Sequence, residues 1–409
     1  MSYKRIYKCH ISGSENLEMI LSLGLIPPVN QMTKIDQKPK EQIFFPTEIY
    51  YSPVSKLVQL GITVDQKILF PKEYPYTSST TKILRENFSE LSEEVFSNFK
   101  ISEEDLVIDI GSNDGNLLSN FKNYTRVLGI TPEDIGKIAI ERGIPTILQY
   151  FSKDLSKNII KKYGKAKIVT ATNVFAHIDK IDEVLHSIYN LLENDGIFIS
   201  ESHYLQTLVE QNQYDTIYHE HLRYYSLSSL EYLFNKHGME IIRAKKINTH
   251  GGSIRVYATK KNTYKIDNAF KELINIEKKE LYSEGLFNFK NRVIESKLKL
   301  YSLLNEINSQ GFNIYGISAP SRATTLVNYL GIRKDIIDCI LEIDGSQKIN
   351  HFLPGTDIPI YNEKKLFIDQ PKFAFILSWH IAEEIMNNLR KNGFKGKFII
   401  PLPEPKILN

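Results

Sequence analysis

DLVIDIGSNDGNLLSNF, Asp105 to Phe121, is the stretch that decides the fold. Leu106 to Ile110 is an apolar run suited to a parallel strand covered on both faces. Gly111 and Gly115 bracket a polar turn, and from Asn116 onward the pattern reads as helix. A strand, a glycine turn and a helix make a cradle of the kind that holds a nucleotide-like ligand. The glycines let the backbone approach, and Asn113 and Asp114 offer polar groups. The spacing differs from the G-x-G-x-x-G dinucleotide fingerprint. RVLGI (Arg126 to Ile130) reads as a second strand, AKIVTATN (Ala166 to Asn173) as a third and GIFISES (Gly196 to Ser202) as a fourth, with helical patterns between them. Strands alternating with helices predict a doubly wound α/β sheet. Its ligand would sit at the carboxyl ends of the strands, near Asp109 to Gly115, Ile130 to Pro132 and Thr172 to His177.

Upstream, short apolar runs are broken by Pro27, Pro28, Pro46 and Pro53, which predicts a small irregular domain. Leu17 to Pro28 reads as a helix stopped by Gly24 and the prolines, and Lys56 to Gly61 as a short strand. Cys9 is the only thiol there and His10 its only neighbouring donor, against the four ligands that zinc takes. YPYTSSTT, Tyr74 to Thr81, is rich in hydroxyls that can cap the helical stretch Lys82 to Asn98. Downstream lies DTIYHEH, Asp215 to His221. It packs a phenol, two imidazoles and a carboxylate into four consecutive positions, the groups general acid–base chemistry asks for. As an extended segment it would put Tyr218 and Glu220 on one side and His219 and His221 on the other. A helical start would spread them around an axis, and composition alone also describes a polar surface turn. A helix is expected over Ser229 to His237. Then His250, Gly251, Gly252 and Ser253 form a tight turn into a strand carrying Arg255. Residues 265 to 310 read as a charged, solvated helical connector. A second glycine-turn unit begins at Phe312, with a strand over Asn313 to Ile317 running into a small-residue turn with Arg322. HFLPGTDIPI and KFAFILSWH supply further strand-like runs.

With 409 residues the chain is too long for one ordinary core. We expect a small N-terminal domain over 1–75, a central domain over 76–264, and a connector with a C-terminal α/β domain over 265–409. The net charge of +3 gives no reason to expect nucleic-acid binding. No apolar run reaches the roughly 18 residues of a membrane span, and the N-terminus lacks the apolar core of a secretory signal. Two cysteines cannot build a disulfide framework. The expectation is a cytoplasmic enzyme.

IGSNDGNLL, NVFAH, DTIYHEH, HGGSIRVY and LPGTDIPI, in this order and spacing, resemble the nucleotide-sugar C-methyltransferases, of which the best known methylate C-3 of dTDP-4-keto-deoxysugars. The resemblance covers nearly the whole chain. It implies an N-terminal zinc domain, a central Rossmann-like class I methyltransferase domain and a C-terminal Rossmann-like domain, with the nucleotide-linked keto-sugar between the last two. It implies that Gly111, Ser112, Asn113, Asp114 and Gly115 hold the methionine part of S-adenosylmethionine, with Asn173, Phe175 and His177 beside its adenosine. His221 would be the base that forms an enolate, with Tyr218, Glu220 and Tyr76 or Tyr74 around the sugar. His250, Gly251, Gly252 and Ser253, and Ser321 and Arg322 onward, would help bind the nucleotide-sugar. Two positions depart from the pattern. Where the family has two Cys-x-x-Cys pairs this chain has Cys9 with Ser12 and Ser52 with Ser55, so no zinc is expected. Where the family has an acid on the cofactor ribose, in Gly-Ile-Glu-Pro, this chain has Thr131, with Glu133 and Asp134 following. Thr131 leaves room for two other readings on the same scaffold: a keto-sugar epimerase or isomerase that needs no methyl donor, and a non-catalytic nucleotide-sugar-binding subunit.

Overall fold

The computed structural model describes residues 2–37, 41–69 and 82–409. Its centre is a seven-stranded sheet built from Leu106–Ile110 (β1), Arg126–Ile130 (β2), Thr146–Ile147 (β3), Ala166–Thr172 (β4), Leu192–His203 (β5), Met239–Ile247 (β6) and Ser253–Lys260 (β7). The spatial order is β6-β7-β5-β4-β1-β2-β3. The first five strands run parallel, and β7 is antiparallel to both β5 and β6. Strand order reverses between β1 and β4, where Asp109 stands opposite Thr170. In a doubly wound sheet that reversal opens a crevice at the carboxyl ends. All five residues of β1 are buried, as its apolar run predicts. The segment after Gly115 forms only a 3-10 turn, Leu118–Asn120, where a helix is expected from Asn116. Leu117, Leu118 and Phe121 still face the core, so burial is kept with fewer helical turns.

A second parallel sheet follows, from Ile314–Ile317 (β8), Cys339–Glu342 (β9), Ile360–Asn362 (β10), Phe373–Ile376 (β11), Lys397–Ile400 (β12) and Lys406–Leu408 (β13). Its order, β10-β9-β8-β11-β12-β13, again reverses beside the first strand, and only β13 is antiparallel. Both sheets are therefore Rossmann-like, as expected, and the central one carries the class I methyltransferase arrangement.

The N-terminal part departs from its reading. Glu18–Ile26 is a strand paired with Phe45–Tyr51, not a helix. Its apolar run has no clear helical repeat, and pairing satisfies its backbone while Ile20, Leu21, Leu23 and Ile26 are buried. Val58–Leu60 is a strand as predicted, and Arg223–Tyr224 from beyond β5 pairs with it. The stretch 265–310 is helical but not simply solvated. Asn268–Glu280 and Leu286–Ser309 bury Phe270, Leu286, Phe289, Val293, Leu300 and Leu304. Glu277, with no exposure, accepts hydrogen bonds from Tyr204, at 2.8 Å, and from the Ser228 hydroxyl and amide, at 2.6 and 2.9 Å. Among the described residues no helix is long and apolar enough to cross a membrane.

Helix Lys82–Asn98 is latched to the sheet by charge. Arg255 on β7 is fully buried; its Nε bonds Glu201 at 2.6 Å, its Nη1 bonds Glu94 at 2.7 Å and its Nη2 bonds Asn87 Oδ1 at 2.8 Å. Removing one partner of such a pair strands a buried charge, which typically costs about 3–5 kcal/mol. Arg255→Met should therefore lower the unfolding free energy by about that much in urea titrations, and adding Glu201→Met should recover part of it.

Candidate functional site

The turn after β1 is shaped by three residues of positive φ: Gly111 at 80°, Asn113 at 49° and Gly115 at 78°. A Cβ on Gly111 would lie 2.3 Å from Val174 Cγ2, so glycine there lets the loops after β1 and β4 meet across the crevice. Ser112 is buried, as is Asp114, whose carboxylate pairs with Arg142 at 3.2 Å while its carbonyl accepts from the same guanidinium at 3.1 Å. Asp114 therefore braces the turn. Asn173 ends β4 at a φ of 58°, and its amide donates to the Glu201 carbonyl at 2.8 Å. Thr131 is buried at the end of β2; a Cβ on Gly136 would lie 2.6 Å from its methyl. Of the acids that follow, Asp134 pairs with Lys137 at 2.9 Å, and burial pushes the Glu133 carboxyl up. Glycines that admit a close backbone and polar groups at a switch point are what S-adenosylmethionine needs of a protein, and these residues fit it. Phe175 is the exception. It has no exposure and packs on Phe198 at 5.3 Å, with Tyr225 and Phe234 at 6.4 Å each. It is a core residue beneath the crevice, placed there by its apolar ring, and does not line an adenosine.

The segment 218–221 is neither extended nor a helix start. The His221 amide bonds the Tyr218 carbonyl at 3.0 Å, a turn that brings their rings to 4.2 Å. His219 points away into the N-terminal domain, with Nε2 at 3.0 Å from Thr47 Oγ1. It is a buried structural histidine. His221 Nδ1 lies 2.9 Å from the Thr216 carbonyl. A carbonyl only accepts, so Nδ1 carries the proton and Nε2 holds the lone pair. His177 is fixed the same way, Nδ1 at 2.6 Å from the Glu220 carbonyl, with its ring 5.1 Å from that of His221. Burial, then His177, pushes His221 well below the usual imidazole range. The Glu220 carboxylate is held by Asn30, whose Nδ2 donates to Oε1 at 2.7 Å.

A third group converges from the C-terminal domain. Arg322, 7% exposed, lies 3.5 Å from the Asp215 carboxylate and 5.2 Å over the Trp379 ring. Trp379 Nε1 donates to the same carboxylate oxygen at 2.7 Å. Burial raises the Asp215 carboxyl, against the pull of Arg322. His203, His250 and His380 are all depressed by burial first and Arg322 second, to about 3, 4 and 2, so Arg322 is the charge among them at neutral pH. His250 Nε2, His380 Nδ1 and Arg322 Nη1 are buried atoms without a hydrogen-bond partner among the described residues. Gly251 (φ 88°) and Gly252 (φ 122°) make the turn that sets His250 in place. Ser253 is turned inward, its Oγ donating to the Thr249 carbonyl at 3.0 Å. Ser321 opens the helix Ser321–Leu330 and reaches Asn30 at 3.3 Å. Tyr74 and Tyr76 lie outside the described residues. Asn30, His203, Gln213, Trp379 and His380 are site residues that the sequence reading missed. The single tryptophan, followed by a histidine at the end of a strand-like run, is the one signal that could have found any of them.

Asp109 stands below the cradle, its carboxyl pushed up from 3.8 to about 7 by burial, with Glu201 adding to the rise and the 2.6 Å bond from Thr170 opposing it. The native state thus binds a proton that the unfolded chain releases near pH 4. Stability contributed by that proton is full below about pH 4 and is lost as pH rises towards 7. Asp109→Asn should remove this slope. In urea titrations it should be nearly neutral at pH 4 and stabilising at pH 8, by up to about 4 kcal/mol for a carboxyl moved from 3.8 to about 7.

Residues 9–70 match a family model described as "Putative zinc binding domain", residues 80–244 one described as "Methyltransferase domain", and residues 248–403 one described as "C-methyltransferase C-terminal domain". The chain is 28% identical over 412 residues to the C-methyltransferase NovU of Streptomyces niveus, covering 99% of this chain and 97% of that protein. Similar solved structures include the magnesium protoporphyrin IX methyltransferase of Synechocystis PCC 6803 with bound SAM, at 13% identity over 43% of this chain and 79% of that one, with a TM-score of 0.33. Another is an S-adenosylmethionine-dependent methyltransferase of Clostridium acetobutylicum, at 14% identity over 44% and 93%, with a TM-score of 0.33. The first family match corrects the expectation of no zinc, because it assigns residues 9–70 to a zinc-binding type of domain. At the pair positions stand one thiol and three hydroxyls, with Cys9 Sγ 3.1 Å from Ser55 Oγ. Among the described residues no three His, Cys, Asp or Glu side chains gather as a metal site. Three consecutive family matches and a full-length relative agree with the sheet order and the cradle: the chain is similar to C-methyltransferases along its length and is a methyltransferase that uses S-adenosylmethionine.

Proposed function

We propose that this enzyme methylates a carbon next to the ketone of a nucleotide-linked keto-deoxysugar, with His221 as the base. The observation that carries the reading is the His221 tautomer. Its Nδ1 proton is committed to the Thr216 carbonyl, so Nε2 is the free base, on a half-buried residue beside Tyr218 and His177. His221 Nε2 would take the proton α to the ketone, and the electron pair left on carbon would delocalise onto the ketone oxygen. The Tyr218 hydroxyl, on the ring stacked against His221, is a donor suited to that oxygen. Bound S-adenosylmethionine supplies an electrophilic methyl group for the carbon. Because burial depresses His221, it is unprotonated and ready at neutral pH.

Arg322 supports a phosphate-bearing substrate. It carries a buried Nη1 without a hydrogen-bond partner among the described residues, close enough to His250 and His380 to depress both, on the first turn of a helix whose N-terminal dipole favours anions. Ser321 adds a hydroxyl, and the turn at Gly251 and Gly252 closes the other side. The substrate class is the one that the sequence resemblance implies, and this anion-binding ground supports it. Such an enzyme belongs in the cytoplasm, and both of its cysteines are unpaired.

Two experiments test the reading. Given a 4-keto-sugar nucleotide in heavy water, with S-adenosylhomocysteine present to block methyl transfer, the wild type should incorporate deuterium α to the ketone. His221→Asn should lose about 10²–10⁴ of that rate with cofactor affinity nearly unchanged. Undiminished exchange in the variant would remove His221 from the role, and no exchange with any keto-sugar nucleotide would remove the substrate class. Separately, an acid in place of Thr131 would restore a charged hydrogen bond to the cofactor ribose, worth about 1.5–3 kcal/mol. Thr131→Glu should tighten S-adenosylmethionine binding by calorimetry about tenfold or more.

A further inference from the structure

The segment Pro27–Lys34 belongs to the N-terminal domain in sequence but is held by the C-terminal domain. Thr324 Oγ1 donates to the Val29 carbonyl at 3.3 Å. Thr33 and Lys34 pair antiparallel with Phe352 and His351. Gly355 approaches Pro27 so closely that a Cβ there would lie 2.7 Å from Pro27 Cγ. Between these anchors, Asn30 reaches into the site. Its Nδ2 donates to Glu220 Oε1 at 2.7 Å and its Oδ1 accepts from Ser321 Oγ at 3.3 Å. The two bonds fix the amide's orientation, since a carboxylate accepts only.

We propose that Asn30 is a positioning residue for proton transfer, tying the Glu220 peptide, and through it both imidazoles of the site, to the C-terminal domain. Glu220 is 4% exposed, so its side chain has one place to be. Its backbone carbonyl is the acceptor that fixes the His177 tautomer, and the next residue is His221. An asparagine holds that carboxylate without contributing a charge, at any pH. An aspartate in its place would set two carboxylates within hydrogen-bond reach, and such a pair shares one proton. The proposal rests on the reading of His221 as the base, and it assigns the N-terminal domain a part in the active site.

The test uses the full chain. Asn30→Ala should lower kcat roughly tenfold to a hundredfold, the loss of one hydrogen bond to a charged group, with S-adenosylmethionine affinity by calorimetry unchanged. Asn30→Asp should add a pH dependence that the wild type lacks, with activity falling as the shared proton leaves. Asn30→Gln, which keeps the donor, should recover part of kcat. A merely structural role would lower the melting temperature without moving the pH profile. Histidine proton NMR titrations without substrate give a readout independent of turnover, and in Asn30→Asp the His177 and His221 resonances should follow the new carboxyl titration. Wild-type kinetics and unmoved histidine resonances in both Asn30→Ala and Asn30→Asp would overturn the proposal. If the wild type neither exchanges nor methylates any keto-sugar nucleotide, the substrate reading fails, while the NMR titration still decides whether Asn30 governs the imidazoles.

Discussion

A carboxylate with no exposure, Asp215, sets how the two Rossmann-like sheets face each other. A buried charge is tolerated only when it is paired and hydrogen-bonded. Asp215 finds both partners on the far domain: the Trp379 indole at 2.7 Å and the Arg322 guanidinium at 3.5 Å. Trp379 follows β11 and Arg322 lies in the helix after β8, so both come from the carboxyl ends at the reversal of the C-terminal sheet. The central sheet presents its own reversal through Gly111 and Asn173. One interaction therefore turns two ligand crevices towards each other, with the Tyr218–His221 turn beginning three residues after its anchor. The order of the proposed site follows: cofactor over β1, proton transfer at the turn, anion-binding ground at Arg322.

The parts of this arrangement legible in the sequence are those with a local cause. Gly111 and Gly115 are readable because only glycine is at ease at their φ values, and β1 because a strand buried on both faces reads as a near-continuous apolar run, broken here by Asp109 alone. The YHEH run shows that proton-transfer groups are present, yet not which of them act. That is settled by a turn hydrogen bond, and by Thr47 of another domain claiming His219. Leu17–Pro28 misleads because a short apolar run suits a helix or a strand, and the partner strand lies some twenty residues away. Phe175 stands in a motif whose neighbours face the crevice, but its ring is drawn beneath them by Phe198 and Phe234. The connector's charges suggest solvent, while its leucines and Phe289 bury one face. Asn30 carries no local signal, because its meaning comes from Glu220, 190 residues distant.

The histidines show why an electrostatic site needs this much enclosure. His203, His250 and His380 share their ground with Arg322, and burial together with that cation keeps all three neutral. A positive field concentrated in one guanidinium can be answered by an anionic ligand. Four charged groups there would repel one another and unbalance the single counter-charge of Asp215. The neutral imidazoles instead act as polar, orientable walls: His203 through its 2.8 Å bond with Gln213, and His250 and His380 through ring nitrogens that no group among the described residues occupies.

The same enclosure sets the terms for the proposed role of His221 as base. A depressed imidazole is always in its basic form at neutral pH, but it is a weaker base and needs help to remove a proton from carbon. That help must act on the carbanion side, by donors that stabilise charge as it develops on the ketone oxygen. Tyr218, its ring tilted at 4.2 Å, carries such a donor, and burial, with His177 at 5.1 Å, disfavours the imidazolium. A proton gained under those conditions is readily lost again, so the base is restored for the next turnover. The site thus trades proton affinity for readiness. That exchange favours a carbon acid already activated by an adjacent carbonyl over an unactivated one.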